Sequence, residues 1–98
     1  MKEVISVLGP TPDSENIRNF PNAVREWCIN SAAVDPFSKS ALINNEDGIL
    51  YRWDFTSNTL SQSVVLTEGL GEAYTPTLIG VDGTVYAINN ATLFAVGQ

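Results

Sequence analysis

The chain has 98 residues, 44% of them apolar, which is enough for one small domain with a thin core and too apolar for intrinsic disorder. Eleven carboxylates against five cations leave a net charge of −6, a balance that repels phosphate backbones, and no apolar run approaches the ~18 residues of a membrane span. Neither a nucleic-acid nor a membrane partner is expected; and with no histidine and a single cysteine, Ser-His and Cys-His nucleophile pairs, histidine-bearing zinc sites and intrachain disulfides are excluded.

Residues 4–8, Val4-Ile5-Ser6-Val7-Leu8, predict a short strand stopped by Gly9-Pro10. The apolar stretch is too short for the core of a secretory leader, and the compartment stays open. Thr11-Pro12-Asp13 with Glu15 predicts a helix start, with proline at the first position and acids in the first turn. Ile17 and Phe20 would share its face before Pro21 ends it. Residues 22–29 read in two ways. Asn22 can cap a helical turn carrying Val24, Trp27 and Cys28 at three- and four-residue spacing, or residues 24–29 can form a strand, as Val, Trp and Ile favour. The strand is preferred, and Cys28 reads as a small core residue. Residues 1–30 are therefore expected to form a strand and an irregular, partly helical N-terminal segment.

From Ser31 onward the pattern is β. Ala32-Ala33-Val34 runs into the turn signal Asp35-Pro36, and residues 40–44 form a strand ending at Asn45-Glu46-Asp47-Gly48. Asp-Gly supplies the positive φ that a tight hairpin demands. Residues 49–55 alternate, with Ile49, Tyr51, Trp53 and Phe55 on one side and Leu50, Arg52 and Asp54 on the other. Thr56-Ser57-Asn58 turns the chain into a strand at 60–66. After Glu68-Gly69-Leu70-Gly71, residues 74–80 are extended, with Pro76 marking a strand start or an edge. Asp82-Gly83 turns the chain again, residues 84–88 return, Asn89-Asn90-Ala91 turns, and residues 92–96 finish.

The septet Asp47-Gly48-Ile49-Leu50-Tyr51-Arg52-Trp53 returns as Asp82-Gly83-Thr84-Val85-Tyr86-Ala87-Ile88. A turn dipeptide followed by an alternating strand, given twice, is the signature of a repeating antiparallel unit. It divides the chain into residues 31–66 and 67–98 behind the N-terminal segment, all within one domain. Glu46-Asp47-Gly48-Ile49-Leu50-Tyr51-Arg52-Trp53-Asp54 resembles the end of a tryptophan–aspartate repeat. Asp82-Gly83-Thr84-Val85-Tyr86-Ala87-Ile88-Asn89-Asn90-Ala91-Thr92 resembles a repeat of pyrroloquinoline-quinone-type propellers. Both resemblances imply a mostly β fold, an antiparallel meander of propeller-blade-like units over residues 31–96. The chain departs from both patterns: it has no Gly-His pair, and Thr59-Leu60 and Thr92-Leu93 stand where the quinone-type repeat carries Thr-Gly. About two blades cannot close a ring, because a stack of such units needs at least ~3 to cover its own core. The chain then self-assembles around an axis, belongs to a longer propeller, or folds its N-terminal residues over the open face; self-assembly is favoured.

Tyr51 and Trp53, with Tyr86 at the matching place and Trp27 upstream, are candidates for a platform that takes a planar ligand, a sugar or a protein partner; packing between sheets is the commoner role for such rings. Glu68, Glu72 and Tyr74 sit in the glycine-rich acidic stretch that joins the two units, where functional loops are often exposed. Two carboxylates four positions apart on a loop are weak grounds for glycoside cleavage, and Gly69-Leu70-Gly71 lacks the following helix that phosphate binding needs. Asn44-Asn45-Glu46-Asp47 lacks the alternating oxygens of a calcium loop. Asn90-Ala91-Thr92 fits a glycosylation acceptor pattern but reads as a turn. Asp47 and Asp82 read as turn residues. The expectation is a non-enzymatic β module with no catalytic residue, no metal and no cofactor, whose partner is a further copy of the chain or another protein. The alternatives are a fragment resembling quinone-dependent dehydrogenase propellers and a carbohydrate- or peptide-binding module.

Overall fold

The computed structural model describes residues 1–27, 31–68, 73 and 76–97. Among them it forms seven strands and no helix. Strands β1 (Ala33–Asp35), β2 (Ser40–Asn45), β3 (Ile49–Asp54) and β4 (Thr59–Val65) make an antiparallel sheet in sequence order. Strands β5 (Leu78–Ile79), β6 (Val85–Asn89) and β7 (Thr92–Val96) make a second, three-stranded antiparallel sheet, also in sequence order.

Both Asp-Gly turns have the expected backbone. Gly48 sits at φ 77° and Gly83 at φ 84°, a region that a Cβ disfavours and glycine enters freely. The remaining hairpins reach the left-handed region without glycine, at Lys39, Asn58, Asn90 and Ala91. Two of these turns share one device. Asp35 accepts hydrogen bonds from the Phe37 and Ser38 amides, as Asp54 does from those of Thr56 and Ser57. The Ser38 and Ser40 hydroxyls meet at 2.6 Å, as those of Ser57 and Thr59 do at 2.7 Å. Asp35-Pro36-Phe37-Ser38-Lys39-Ser40 and Asp54-Phe55-Thr56-Ser57-Asn58-Thr59 are thus one turn built twice, each with its left-handed residue in the fifth place.

The core lies where one face of each sheet meets the other. Leu42 and Leu50 pack against Val85 and Ala87, flanked by Ala33, Leu66, Ile79 and Val96. Strand β1 lies beside β5 and β2 beside β6. The junction is held by amides as well as by apolar contact. Asn44 and Asn89 are both fully buried, at 0% exposure. Asn44 Nδ2 donates to the Ile88 carbonyl at 2.7 Å, while Asn89 Nδ2 donates to Asn44 Oδ1 at 3.0 Å and reaches the Asn45 carbonyl at 3.3 Å. Such bonds matter because an unmade hydrogen bond in the interior costs about 1–3 kcal/mol. Asn44 and Asn89 both stand at the C-terminal ends of their strands, so these ends of β2 and β6 lie together.

The N-terminal segment corrects two expectations. No helix forms after Pro12. The Ile17 amide bonds to the Asp13 carbonyl and the Phe20 amide to that of Asn16, each at 2.9 Å, but these single turns do not propagate. The Asp13 side chain accepts from the Glu15 amide, as an N-cap does, and from the Asn16 side chain, but the capped turn is not continued into a helix. A bridge between Pro12 and Val24 pinches the ends of the loop together. Residues 4–8 form no strand either: they pair with no strand among the described residues. The strand preferred for residues 24–29 is reduced to that bridge at Val24, and residues 28 and 29 lie outside the described residues.

The segment does fold onto the first sheet. The Thr11 amide donates to Asp47 Oδ1 at 3.2 Å, the Glu46 amide bonds to the Glu26 carbonyl, and Trp27 lies 5.1 Å from the Tyr51 ring. It covers the Tyr51 side of the sheet near the β2–β3 turn.

Candidate functional site

Pairing across the first sheet sorts its side chains into two faces. Val34, Ala41, Trp53 and Leu60 align in one row, and Ala33, Leu42, Arg52 and Gln62 in the next. Neighbouring rows point to opposite sides because alternate strand residues do. A bulge between Arg52 and Trp53 shifts the β4 register by one residue at Ser61.

The Leu42 face meets the second sheet at its β1–β2 end and opens away from it toward β4. The space left there is a groove of about 930 Å³, lined by Leu42, Leu50, Arg52, Val64, Val85 and Val96 among others. Its polar end is organised by Arg52, which sequence reasoning did not single out. Arg52 Nη1 donates to the Ser38 and Ser40 hydroxyls at 2.9 and 2.6 Å and lies 3.6 Å from Asp35 Oδ2; Nε donates to Gln62 Oε1 at 2.8 Å. The Ser38 hydroxyl beside Asp35 holds that carboxyl below the usual range, with help from the Ser38 and Phe37 amides and the Arg52 charge and against the desolvation that opposes it. At Asp54 the Ser57 and Thr56 amides have the same effect. These carboxylates are fixed as hydrogen-bond acceptors for the turns. The signal available in the sequence was the twice-given Asp-x-x-Ser turn, which places Ser38 and Ser40 opposite a β3 cation.

The opposite face carries the aromatic candidates. Tyr51 is only 9% exposed and lies under Trp27, their planes inclined at 53°. Burial, then the Asp47 charge beside it, push the Tyr51 hydroxyl above the ordinary phenol range. Trp27 is itself tethered by its indole N–H to the Val7 carbonyl at 2.9 Å. Trp53 meets Phe55 edge-on at 5.0 Å, and its indole nitrogen is buried without a hydrogen-bond partner among the described residues. The structure therefore brings Tyr51 and Trp53 onto one face with Trp27, half covered by the N-terminal segment. Tyr86 stands on the other sheet, 39% exposed. Glu68 is exposed beyond β4, next to Thr67, whose amide bonds to the Gly48 carbonyl. Glu72 and Tyr74 lie outside the described residues.

The second sheet also has an uncovered side. Leu78, Tyr86 and Ala95 form one row across it, and Ile88 pairs with Leu93 on the same face. Leu78 is 63% exposed and Leu93 66%. The opposite face of that sheet, with Val85 and Ala87, is the one spent in the core. Among the described residues, no group of three or more His, Cys, Asp or Glu side chains is placed to hold a metal ion.

The chain matches no protein-family model and no curated protein.

Proposed function

We propose that the chain is a non-enzymatic β module that works by stacking on further copies of itself, in the manner of propeller blades. The observation that carries this is the apolar outer face of the second sheet: Leu78, Tyr86 and Leu93 are wet, though they share a face patterned like a core. Contiguous apolar sheet surface of this kind marks an interaction site. The matching surface is the Trp53 side of the first sheet, where Val34 and Val65 are also exposed. Joining the outer face of one copy to the Trp53 face of the next is a head-to-tail contact between unlike surfaces. Contacts of that type close into rings when the rotation per copy allows. Tyr51 and Trp53 then serve as partner-binding residues, Trp53 by contact and Tyr51 by supporting the sheet beneath Trp27.

Light scattering behind a sizing column tests the proposal. The mass should rise with concentration toward a fixed multiple of the 10.6 kDa chain. Leu93→Glu should abolish the rise while far-ultraviolet circular dichroism stays unchanged, because that side chain is exposed within one copy. A folded monomer at every concentration would overturn the reading.

A further inference from the structure

Strand β7 has an open edge. It pairs with β6 on one side and with no strand of the described residues on the other. The two-residue turn at Asn90-Ala91 closes a hydrogen-bonded pair, Asn89 with Thr92, so along β7 the polar backbone groups point alternately toward β6 and away from it. Those of Leu93 and Ala95 face outward. This edge borders the groove, whose far wall is β3 and β4 of the first sheet. The first sheet has a fourth strand there and the second has none to oppose it.

The chain also contains a strand-like segment without a sheet. Val4-Ile5-Ser6-Val7-Leu8 is apolar on both alternating faces save for Ser6, the composition of a strand covered on both sides. Yet it pairs with no strand among the described residues, and Val4, Val7 and Leu8 are exposed. Its five residues match the five of β7. Lys2 and Glu3 leave it without net charge, so a chain of net charge −6 does not repel it.

We infer that residues 4–8 of one copy add to the open edge of β7 in the next copy, as the fourth strand of its second sheet, with Ile5 and Val7 entering the groove. This rests on the stacking reading, and that reading explains the direction of donation. The chain that follows the arm is anchored on the Trp27–Tyr51 side of the first sheet, where the Thr11 amide donates to Asp47, and donation exchanges the bond between the Trp27 indole N–H and the Val7 carbonyl for pairing with β7. The stacked neighbour brings its second sheet to that same side. An added strand buries surface beyond that of the stacked faces, toward the ~1,600 Å² of a standard interface. Backbone pairing supplies the affinity and the groove the selectivity, as in other cases of strand addition to a sheet edge.

Hydrogen exchange read by mass spectrometry tests the inference on the full chain. The Leu93 and Ala95 amides should exchange at least ~10-fold more slowly at associating concentrations than on dilution, because an edge amide is protected only when paired. Ile5→Pro, which disables the arm, and Ala95→Pro, which removes an outward donor from the edge without touching the β6 ladder, should each abolish that protection. Circular dichroism verifies that both variants stay folded; if Ala95→Pro does not, Ala95 N-methylation replaces it. Mixing the two variants is the deciding measurement. The arm of the Ala95→Pro chain should restore protection to the Ala95 amide, which only the Ile5→Pro chain contains. Association that persists in wild type with unprotected Leu93 and Ala95 amides would overturn the arm and leave the stacking. A monomer at every concentration would overturn both, and protection independent of concentration would mean that the arm docks within its own chain, against the inference.

Discussion

Substituting Gly48 separates two costs that usually travel together. At φ 77° any residue with a Cβ is strained, by about 1–2 kcal/mol. Gly48 carries a further burden, because an ideal Cβ there would stand 1.9 Å from the Thr67 carbonyl oxygen, which belongs to the backbone and cannot rotate away. Relieving the overlap means moving the chain after β4 by more than an ångström. That displaces the Leu66 and Thr67 amides, which donate to the Gly48 carbonyl at 2.8 and 3.1 Å, at about 1 kcal/mol for each bond lost. Gly48→Ala should therefore cost about 3–4 kcal/mol, a large share of the ~5–15 kcal/mol available to a domain of this size. Asparagine separates the two costs, since it tolerates the left-handed region but keeps the Cβ. In urea denaturation followed by tryptophan fluorescence, Gly48→Asn should be nearly as damaging as Gly48→Ala, because the overlap with the Thr67 backbone remains when the conformational strain is relieved. A mild effect of Gly48→Asn would refute the close approach of Thr67.

Removing either junction amide, Asn44→Ala or Asn89→Ala, should cost about 1–3 kcal/mol, with a coupling of at least about 0.5 kcal/mol between the two in a double-mutant cycle. Strict additivity would show that the sheets do not communicate through these side chains. Ala91 occupies φ 60° without glycine's freedom, so Ala91→Gly should stabilise by about 0.5–1 kcal/mol once glycine's extra unfolded-state entropy is deducted, read as a higher melting temperature. Asp35 and Asp54 titrate below their ordinary values in the folded chain, which stabilises the fold above the unfolded carboxylate range and loses that stability as pH falls through the folded values. The melting temperature should hold down to roughly pH 5 and then drop on acidification, less steeply in Asp35→Asn. Tyr51 is raised, so the neutral phenol is favoured in the fold. Its contribution is present below about pH 10, disappears as pH climbs through the raised value, and should be absent from the alkaline melting profile of Tyr51→Phe.

Local chemistry was legible wherever a residue can do only one thing. The Asp-Gly pairs announced positive φ, and the alternation of residues 49–55 placed Leu50 and Tyr51 on opposite faces, as they are. What the alternation could not say is that both faces are covered: Leu50 by the second sheet and Tyr51 by Trp27, contacts set by residues far away in sequence. The turns at Asp35-Pro36 and Thr56-Ser57-Asn58 were legible as turns, but not as one device built twice, because their left-handed residues, Lys39 and Asn58, are not glycine and the turn chemistry sits in the aspartate and serine side chains. Arg52 was invisible for the same reason, being a cation on a polar strand face until Ser38, Ser40, Asp35 and Gln62 converge on it. The helix expected after Pro12 goes no further than turns although Asp13 caps the Glu15 amide, because the Pro12–Val24 bridge, a contact between residues twelve apart, pulls the ends of the loop together.

The echoed septets and the packing of the sheets do not coincide, and the offset bears on the architecture. By sequence, the β2–β3 turn at Gly48 corresponds to the β5–β6 turn at Gly83. By packing, β1 stands beside β5 and β2 beside β6, with Asn44 against Asn89. Since the C-terminal ends of β2 and β6 lie together, the Gly48 turn, which follows β2, goes with the Asn90-Ala91 turn, which follows β6, and not with the Gly83 turn before it. The two septets thus occupy different places in their sheets, although each makes a tight hairpin before a strand. Counted by packing instead, the first unit is β1 to β4, and the second starts at β5 and supplies counterparts to β1, β2 and β3 only. The place opposite β4 is where the groove opens and where the β7 edge is bare. A sheet with an open edge, in a chain that also carries an apolar segment of the right length outside any sheet, is the condition under which exchange between copies costs least, because the second sheet gains hydrogen bonds that it cannot make alone.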